Sequence, residues 1–271
     1  MFFRKKNAKP RPRFTKRKWS KKSTNKISAP VRSYVNRVIR RNEETKFSSN
    51  QYGLTLFNSG ISTSGDLVSV LPTVVVGTGQ NNRIGNKIRP VRLEITGYVL
   101  FYCPSAASSS NYQDARMLGA RLFCFQDKTV RSYANNTITN FNLLNLGGSS
   151  TNFSGTALNW VSPHNNEQFK FFMDKRFKVM KPFGFINNTT PTTSNAITGM
   201  DPSMFHPFKL VLTEKDLPAV LTYDQTDELA YPTNFAPYIA LGYCDLTNAS
   251  ADTTTTALGM EFSATLYYKD A

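Results

Sequence analysis

The residues best suited to chemistry are few and scattered. His164 and His206 each lie beside a proline, which is typical of satisfied loop residues, and two histidines leave few choices of general base. No serine has the Gly-x-Ser-x-Gly context of a nucleophile. Gly77-Thr78-Gly79 lacks the third glycine and the lysine of a phosphate-binding loop, so it predicts an ordinary turn. These patterns predict that the chain is not an enzyme.

Two sets of residues could hold a metal ion. The acidic set is Asp224, Asp227 and Glu228. These carboxylates could offer oxygen ligands to calcium, but a solvated acidic loop is the favoured interpretation. The second set is Cys103, Cys124 and Cys244. Without Cys-x-x-Cys spacing, they are expected to be small buried side chains rather than a zinc or redox site. We expect no metal and no cofactor.

The strongest functional signal is the distribution of charge. The chain of 271 residues has a formal net charge of +15, and residues 1–41 contain 16 lysines and arginines with no acidic residue. Residues 42–271 hold 17 basic against 18 acidic residues, so the body is nearly neutral. This pattern predicts two domains: a nucleic-acid-binding segment at 1–41 and a folded domain at 42–271.

Residues 1–30 form a basic arm without apolar periodicity, and we expect the arm to be disordered when free. Its charge favours a polyanion, because each neutralised phosphate releases a counterion. Trp19 can stack on an unpaired base, which favours single strands. The predicted nucleic-acid-binding residues, including four arginines beyond the arm, are Arg4, Lys5, Lys6, Lys9, Arg11, Arg13, Lys16, Arg17, Lys18, Trp19, Lys21, Lys22, Lys26, Arg32, Arg37, Arg40 and Arg41. A nuclear localisation signal is compatible with this role, whereas a membrane-binding tail would need a lipidation signal.

A short amphipathic helix is predicted over 31–41. Its apolar side is formed by Val31, Tyr34, Val35, Val38 and Ile39, with the arginines around it. We expect this side to dock on the body and leave the arginines for phosphates. A helix lying on a membrane surface is the alternative.

The body has the pattern of an all-β fold. In 93–101, every second residue is apolar or glycine, as in a strand with one buried face. Similar runs indicate about eight antiparallel strands, separated by short and very long loops, which favours a jelly roll over an immunoglobulin sandwich. The run at 170–181 is expected to form two strand pieces around Asp174-Lys175. The connection 127–168 is expected to form surface loops that need partners.

Four segments follow the basic arm in a definite order: VRSYVNRVIRRNEETKF, NRIGNKIRPVRLEI, FKFFMDKRFKVMKPF and FKLVLTEKDLPAVLTYD. Together they resemble the capsid proteins of circular Rep-encoding single-stranded DNA viruses, the circovirus-like group. The resemblance implies a single jelly roll, eight antiparallel strands in sheets B-I-D-G and C-H-E-F. It assigns strand B to about 44–57, C to 88–102, D to 117–126, E and F to 169–181, G to 207–223, H to 235–244 and I to 257–269.

The same resemblance implies a T=1 icosahedral shell of about sixty copies of the chain. In that shell the arm would bind a single-stranded DNA genome. The virion and the host nucleus would be the locations, with host nuclear import machinery and a host receptor as further partners and no membrane. A capsid protein of a small RNA virus is the nearest alternative, because counterion release does not distinguish the two polymers. A cellular nucleic-acid-binding protein and an enzyme acting on nucleic acid are more distant alternatives.

Overall fold

The computed structural model describes residues 28–42, 44–101, 117–133, 138–180, 205–224, 230–247 and 257–270. The chain divides into two units, Met1–Glu43 and Glu44–Ala271. The first unit contains helix α1 (Ala29–Asn42), so the predicted helix is present. Residues 1–27 lie outside the described residues, and so does the prediction of a disordered arm. The functional division between 1–41 and 42–271 stays a prediction.

The second unit contains a five-stranded sheet, in which burial alternates along the central strands, and a four-stranded sheet, whose central strands are buried almost continuously. The first sheet has the order β1 (Lys46–Phe57), β11 (Leu258–Asp270), β3 (Lys87–Phe101), β8 (Phe205–Thr213), and the two-residue β9 (Leu221–Thr222) also pairs with β3. The predicted alternation is confirmed in β3, where Leu93, Ile95, Val99 and Phe101 are buried. The opposite face of this sheet is partly open to solvent, and we call it the open face.

The second sheet has the order β2 (Val68–Ser69), β10 (Pro237–Asp245), β4 (Met117–Asp127), β7 (Phe169–Met180). Its two central strands, β10 and β4, are buried along nearly their whole length. A strand with both faces buried reads as a continuous apolar run rather than an alternating one. A short 3₁₀ helix, Ser64–Asp66, precedes β2.

The strand orders define the fold as an all-β jelly roll. In both sheets, each strand pairs antiparallel with the strand beside it. Eight strands make up these two sheets when the short β9 is left out, and we letter them B to I in chain order. The sheets are then B-I-D-G and C-H-E-F, as predicted. The predicted positions of strands B, G, H and I are confirmed, but those of C, D and E were wrong. Strand C is the two-residue β2, so β3 is D, β4 is E and β7 alone is F.

The run at 170–181 is one strand rather than two pieces. β7 pairs with β4 throughout, and a register shift between Cys124 and Phe125 absorbs the irregularity. Asp174 pairs with Phe123 and Lys175 pairs with Leu122, so Asp174-Lys175 does not interrupt the strand. The inner faces of the two sheets meet in one hydrophobic core that includes Ile95 and Leu241.

A second hydrophobic cluster lies on the outer face of the second sheet. Phe123 and Phe125 of β4 cluster there with Leu144 and Phe153 from the β4–β7 connection. We call residues 128–168 the cover; it is described except at 134–137 and contains β5 (Leu144–Leu146), β6 (Ser149–Thr151) and α2 (Ala157–Val161). Some of its apolar residues, among them Leu144 and Phe153, pack on its own domain, whereas Leu146, Leu158 and Val161 are exposed. The expectation that this connection needs partners stays a prediction.

Two of the three cysteines confirm the prediction of buried, unpaired side chains. Cys124 and Cys244 are free and buried. Burial raises the pKa of the Cys124 thiol to about 12 and that of Cys244 to about 11. Cys103 lies outside the described residues. No helix in the described part of the chain is long and apolar enough to cross a bilayer.

Candidate nucleic-acid interface and assembly surfaces

The predicted nucleic-acid-binding residues fall into two groups. The twelve basic residues from Arg4 to Lys26, together with Trp19, lie outside the described residues. The remaining four belong to α1, where Arg32 is exposed. Arg37 and Arg41 occupy backbone positions one helical turn apart, and Arg40 lies two turns after Arg32. Their role in binding nucleic acid stays a prediction.

The apolar side of α1 is accessible. Val31, Tyr34, Val35 and Val38 are 50%, 67%, 46% and 39% exposed. These positions follow the i, i+3, i+4, i+7 pattern of one helix face. An exposed stripe of this kind needs a covering surface, and its predicted docking on the body stays a prediction.

Several smaller apolar surfaces are exposed on the second unit. Val75, Val76 and Ile84 are 51%, 60% and 74% exposed, and a β-bridge joins Val76 to Arg83, the residue before Ile84. Leu54 and Leu56 on the outward side of β1 are also exposed. Because β1 pairs with β11 on one side alone, it is an edge strand, a position that promotes pairing with another chain. Exposed apolar patches of this kind mark interaction surfaces.

Two arginines of the body are structural rather than ligand-facing. Arg121 has a fully buried side chain and donates to both carboxylate oxygens of Asp174, at 2.8 and 2.7 Å. It also donates to the backbone oxygens of Asn159 and Ser162 in the cover, both at 2.7 Å. Its guanidinium lies over the Phe123 ring, 4.8 Å from the centroid. Arg121 therefore joins the second sheet to the cover.

Asp174 is the anionic centre of that arrangement. Burial raises the pKa of this carboxyl, but the hydrogen bonds and charge of Arg121, with His164 and Arg176, outweigh burial and hold the pKa below its ordinary value. His164 Nδ1 lies 3.1 Å from Asp174 Oδ2, and its ring packs against Phe171. The interpretation of His164 as a satisfied loop residue is therefore confirmed.

Arg83 is held in a comparable way near the start of β3. It is 2% exposed and donates from Nε to the Val74 oxygen at 3.1 Å and from Nη1 to the Gly85 oxygen at 2.8 Å. Its guanidinium lies over the Tyr223 ring. Sequence alone gave no signal that Arg83 and Arg121 would be buried, because the acceptors are backbone oxygens and distant residues.

The remaining chemical candidates have structural roles where they are described. Gly77 and Gly79 belong to a turn closed by bonds from Gly77 N to the Arg83 oxygen and from Asn82 N to the Gly79 oxygen, as predicted. His206 lies in β8 and stacks on Phe177, with ring centroids 3.9 Å apart. Its Nε2 is buried and has no hydrogen-bond partner among the described residues, so the prediction of a satisfied loop residue is wrong for His206. Asp224 is described, but Asp227 and Glu228 lie outside the described residues. The interpretation of these three residues as a solvated acidic loop therefore stays a prediction. Among the described residues, no group of three His, Cys, Asp or Glu side chains could hold a metal ion.

Comparisons with known proteins assign neither a family nor a function to this chain. No family model matches the sequence, and no curated protein matches it. One similar solved structure is titled Desmodium yellow mottle tymovirus. It is 11% identical and aligns over 98% of this chain and 93% of that chain, with a TM-score of 0.28. A superposition this loose carries no argument, so the fold assignment depends on the strand order described above.

Proposed function

We propose that this chain is a viral capsid protein that assembles into a closed icosahedral shell and packages a single-stranded DNA genome. The observation that carries the proposal is the union of two features. One is a jelly roll with the B-I-D-G and C-H-E-F strand orders. The other is a segment of 41 residues with 16 basic and no acidic residues. The role is structural, not catalytic.

The exposed apolar surfaces support assembly from identical copies. Val75, Val76 and Ile84 form one such surface, and the edge of β1 forms another. A closed shell of about sixty copies would bury surfaces of this type between subunits. The T=1 arrangement, the virion location, and the host nucleus with its import machinery belong to the same proposal. A host receptor would be a further partner.

Particle formation tests the proposal directly. The full chain, expressed alone, should form closed particles of uniform size in negative-stain images and light scattering. Ile84→Glu should reduce particle yield, because it places a charge in an apolar surface, while the subunit keeps its thermal transition. A monodisperse monomer of the unaltered chain at physiological salt would contradict the capsid function.

Nucleic-acid packaging needs a separate test. Deleting residues 1–28 removes 12 of the 16 basic residues of the 1–41 segment but leaves α1 complete. The truncated chain should keep its cooperative thermal transition and lose nucleic-acid uptake. Nuclease digestion of the packaged polymer distinguishes a DNA genome from an RNA genome, which charge alone does not.

Trp19 is proposed to stack on unpaired bases. Trp19→Ala should weaken binding of a single-stranded oligonucleotide by roughly 1–3 kcal/mol and leave duplex binding nearly unchanged at matched salt. Equal affinity of both chains for the single strand would assign Trp19 no role in binding.

A further inference from the structure

A basic cleft of about 440 Å³ lies where β4 ends, β7 and β10 begin, and the chain passes from β8 to β9. Four cationic side chains line it: Lys128, Arg131, Lys170 and Lys215. Pro218 supplies an apolar part of the wall, and Phe235 lies buried beneath it in the core. Clefts of this size accommodate small ligands. The body is nearly neutral overall, so this concentration of cations is a local feature.

The basic cleft also contains two carboxylates, Asp127 and Asp216, and each accepts hydrogen bonds from its own loop. Asp127 accepts bonds from the backbone N–H groups of Thr129 at 2.6 Å and Val130 at 3.2 Å. Asp216 accepts from the Thr213 backbone N–H at 3.0 Å and from its hydroxyl at 3.1 Å. These bonds fix the carboxylates as turn acceptors, so neither forms an ion pair with a cation of the cleft in the described structure.

Backbone oxygens hold three of the cations in place. Lys170 Nζ donates to the Asp216 oxygen at 2.9 Å, and Lys128 Nζ donates to the Asn166 oxygen at 2.5 Å. Arg131 Nε donates to the Lys128 oxygen at 3.2 Å. A lysine ammonium has three N–H donors and a guanidinium has five, so each cation keeps donors for a ligand. The described ion pairs involve none of the four.

We propose that the basic cleft is a second nucleic-acid site, in which one nucleotide of a single strand places its phosphate among the cations. Its base would lie against the half-buried Pro218, because every base has an apolar face that packs on an apolar side chain. A sulfated polysaccharide has the same anionic chemistry but sugar rings bordered by hydroxyls, which fit an apolar wall less well. The choice of nucleic acid as ligand rests on the proposed function.

The salt dependence of binding tests this site in the full chain. The probe is an oligonucleotide of deoxythymidine, and the variant is Arg131→Ala combined with Lys215→Ala, both exposed residues. Each lost phosphate contact should make the log–log salt slope about 0.7 less steep on single strands, or about 1.4 for two. Lys178→Ala combined with Lys209→Ala removes the same charge from exposed positions outside the cleft and is the matched control.

Photo-cross-linking locates the contact independently. An oligonucleotide with one 5-iododeoxyuridine should cross-link to peptides containing residues 128–131 or 215–218, in addition to peptides of the arm. Salt slopes that are the same for the cleft variant and the control would overturn the proposal. Loss of binding to a heparin oligosaccharide, with oligonucleotide binding unchanged, would also overturn it and assign the cleft to sulfated polysaccharide. Failure of the chain to form particles would refute the capsid function but leave both readouts of the cleft intact.

Discussion

The two sheets of the jelly roll share one core but have opposite outer faces. On the open face, charged residues pair loosely: Arg92 and Glu94 lie 3.5 Å apart, and the Arg92 side chain is 44% exposed. On the covered face, Arg121 is fully buried; its guanidinium donates to the Asp174 carboxylate and to backbone oxygens of the cover, and it lies over the Phe123 ring. The cover has made the second sheet part of a closed interior, while the open face remains available to a neighbour.

Breaking the buried ion pair should have the largest effect on stability. Asp174→Ala leaves Arg121 buried without its carboxylate, which typically costs about 3–5 kcal/mol. Glu94→Ala is the matched change on the open face, where exposed pairs contribute about 1 kcal/mol or less. Urea unfolding of both variants at neutral pH measures the difference. Equal losses would mean that the cover does not exclude water from Arg121.

Truncating a leucine in each region sharpens the comparison. Leu144 in the cover is 0% exposed, whereas Leu54 on the open face is 45% exposed. Leu144→Ala should cost about 2–5 kcal/mol through lost burial and a residual cavity. Leu54→Ala should change the free energy of unfolding by about 0.5 kcal/mol or less in the unassembled subunit. A small loss at Leu144 would show that the cover is not part of the cooperative core.

Adding a methyl group at two glycines probes the same contrast on a smaller scale. A Cβ at Gly242 would lie 2.6 Å from the Phe153 ring of the cover, whereas at Gly53 it would meet nothing within 4 Å. Gly242→Ala should therefore destabilise by about 1–3 kcal/mol through overpacking. Gly53→Ala should be neutral or slightly stabilising, because alanine restricts the unfolded chain. Thermal unfolding of the two variants measures this difference in stability. Equal melting temperatures would contradict close packing of the cover on β10.

The open-faced sheet was largely predictable from sequence, and the covered sheet was not. β3 and β11 alternate between apolar and polar residues, so each indicates a strand with one buried face. Strand β2 has two residues, too few for any periodicity, and missing it shifted the letters of β3 and β4. The cover distributes Phe141, Leu143 and Phe153 among polar residues, so its cluster exists only once the chain has folded.

The candidate sites divide in the same way. The basic arm is a continuous charge run and can be found from composition alone. The basic cleft takes Lys128, Lys170 and Lys215 from three separate parts of the chain, so no local pattern indicates it. Buried Arg121 is a further case, because its carboxylate partner lies 53 residues away.

The pH dependence of stability should distinguish two regions: the contact between the two sheets at His206, which we call the junction, and the contact between Asp174, Arg121 and the cover. His206 of β8 stacks on Phe177 of β7, and its Nε2 is buried without a hydrogen-bond partner in the described structure. Burial, and then the positive charge of Lys175, lower the pKa of His206 from its ordinary value of 6.5. The pKa of Asp174 is lowered from 3.8, so the cover is affected only at more acidic pH.

As pH falls below about 6.5, the unfolded chain binds a proton at His206 before the folded chain does, so stability should decline through that window. The Asp174 contribution is present above about 3.8 and is lost as pH falls further. His206→Phe keeps an aromatic ring beside Phe177 but cannot titrate, so the decline between about pH 7 and pH 5 should shrink while the acidic one persists. Melting temperatures of the unaltered chain and of His206→Phe, measured from about pH 7 to below about 3.8, test both expectations. An unchanged decline in His206→Phe would place its origin away from the junction.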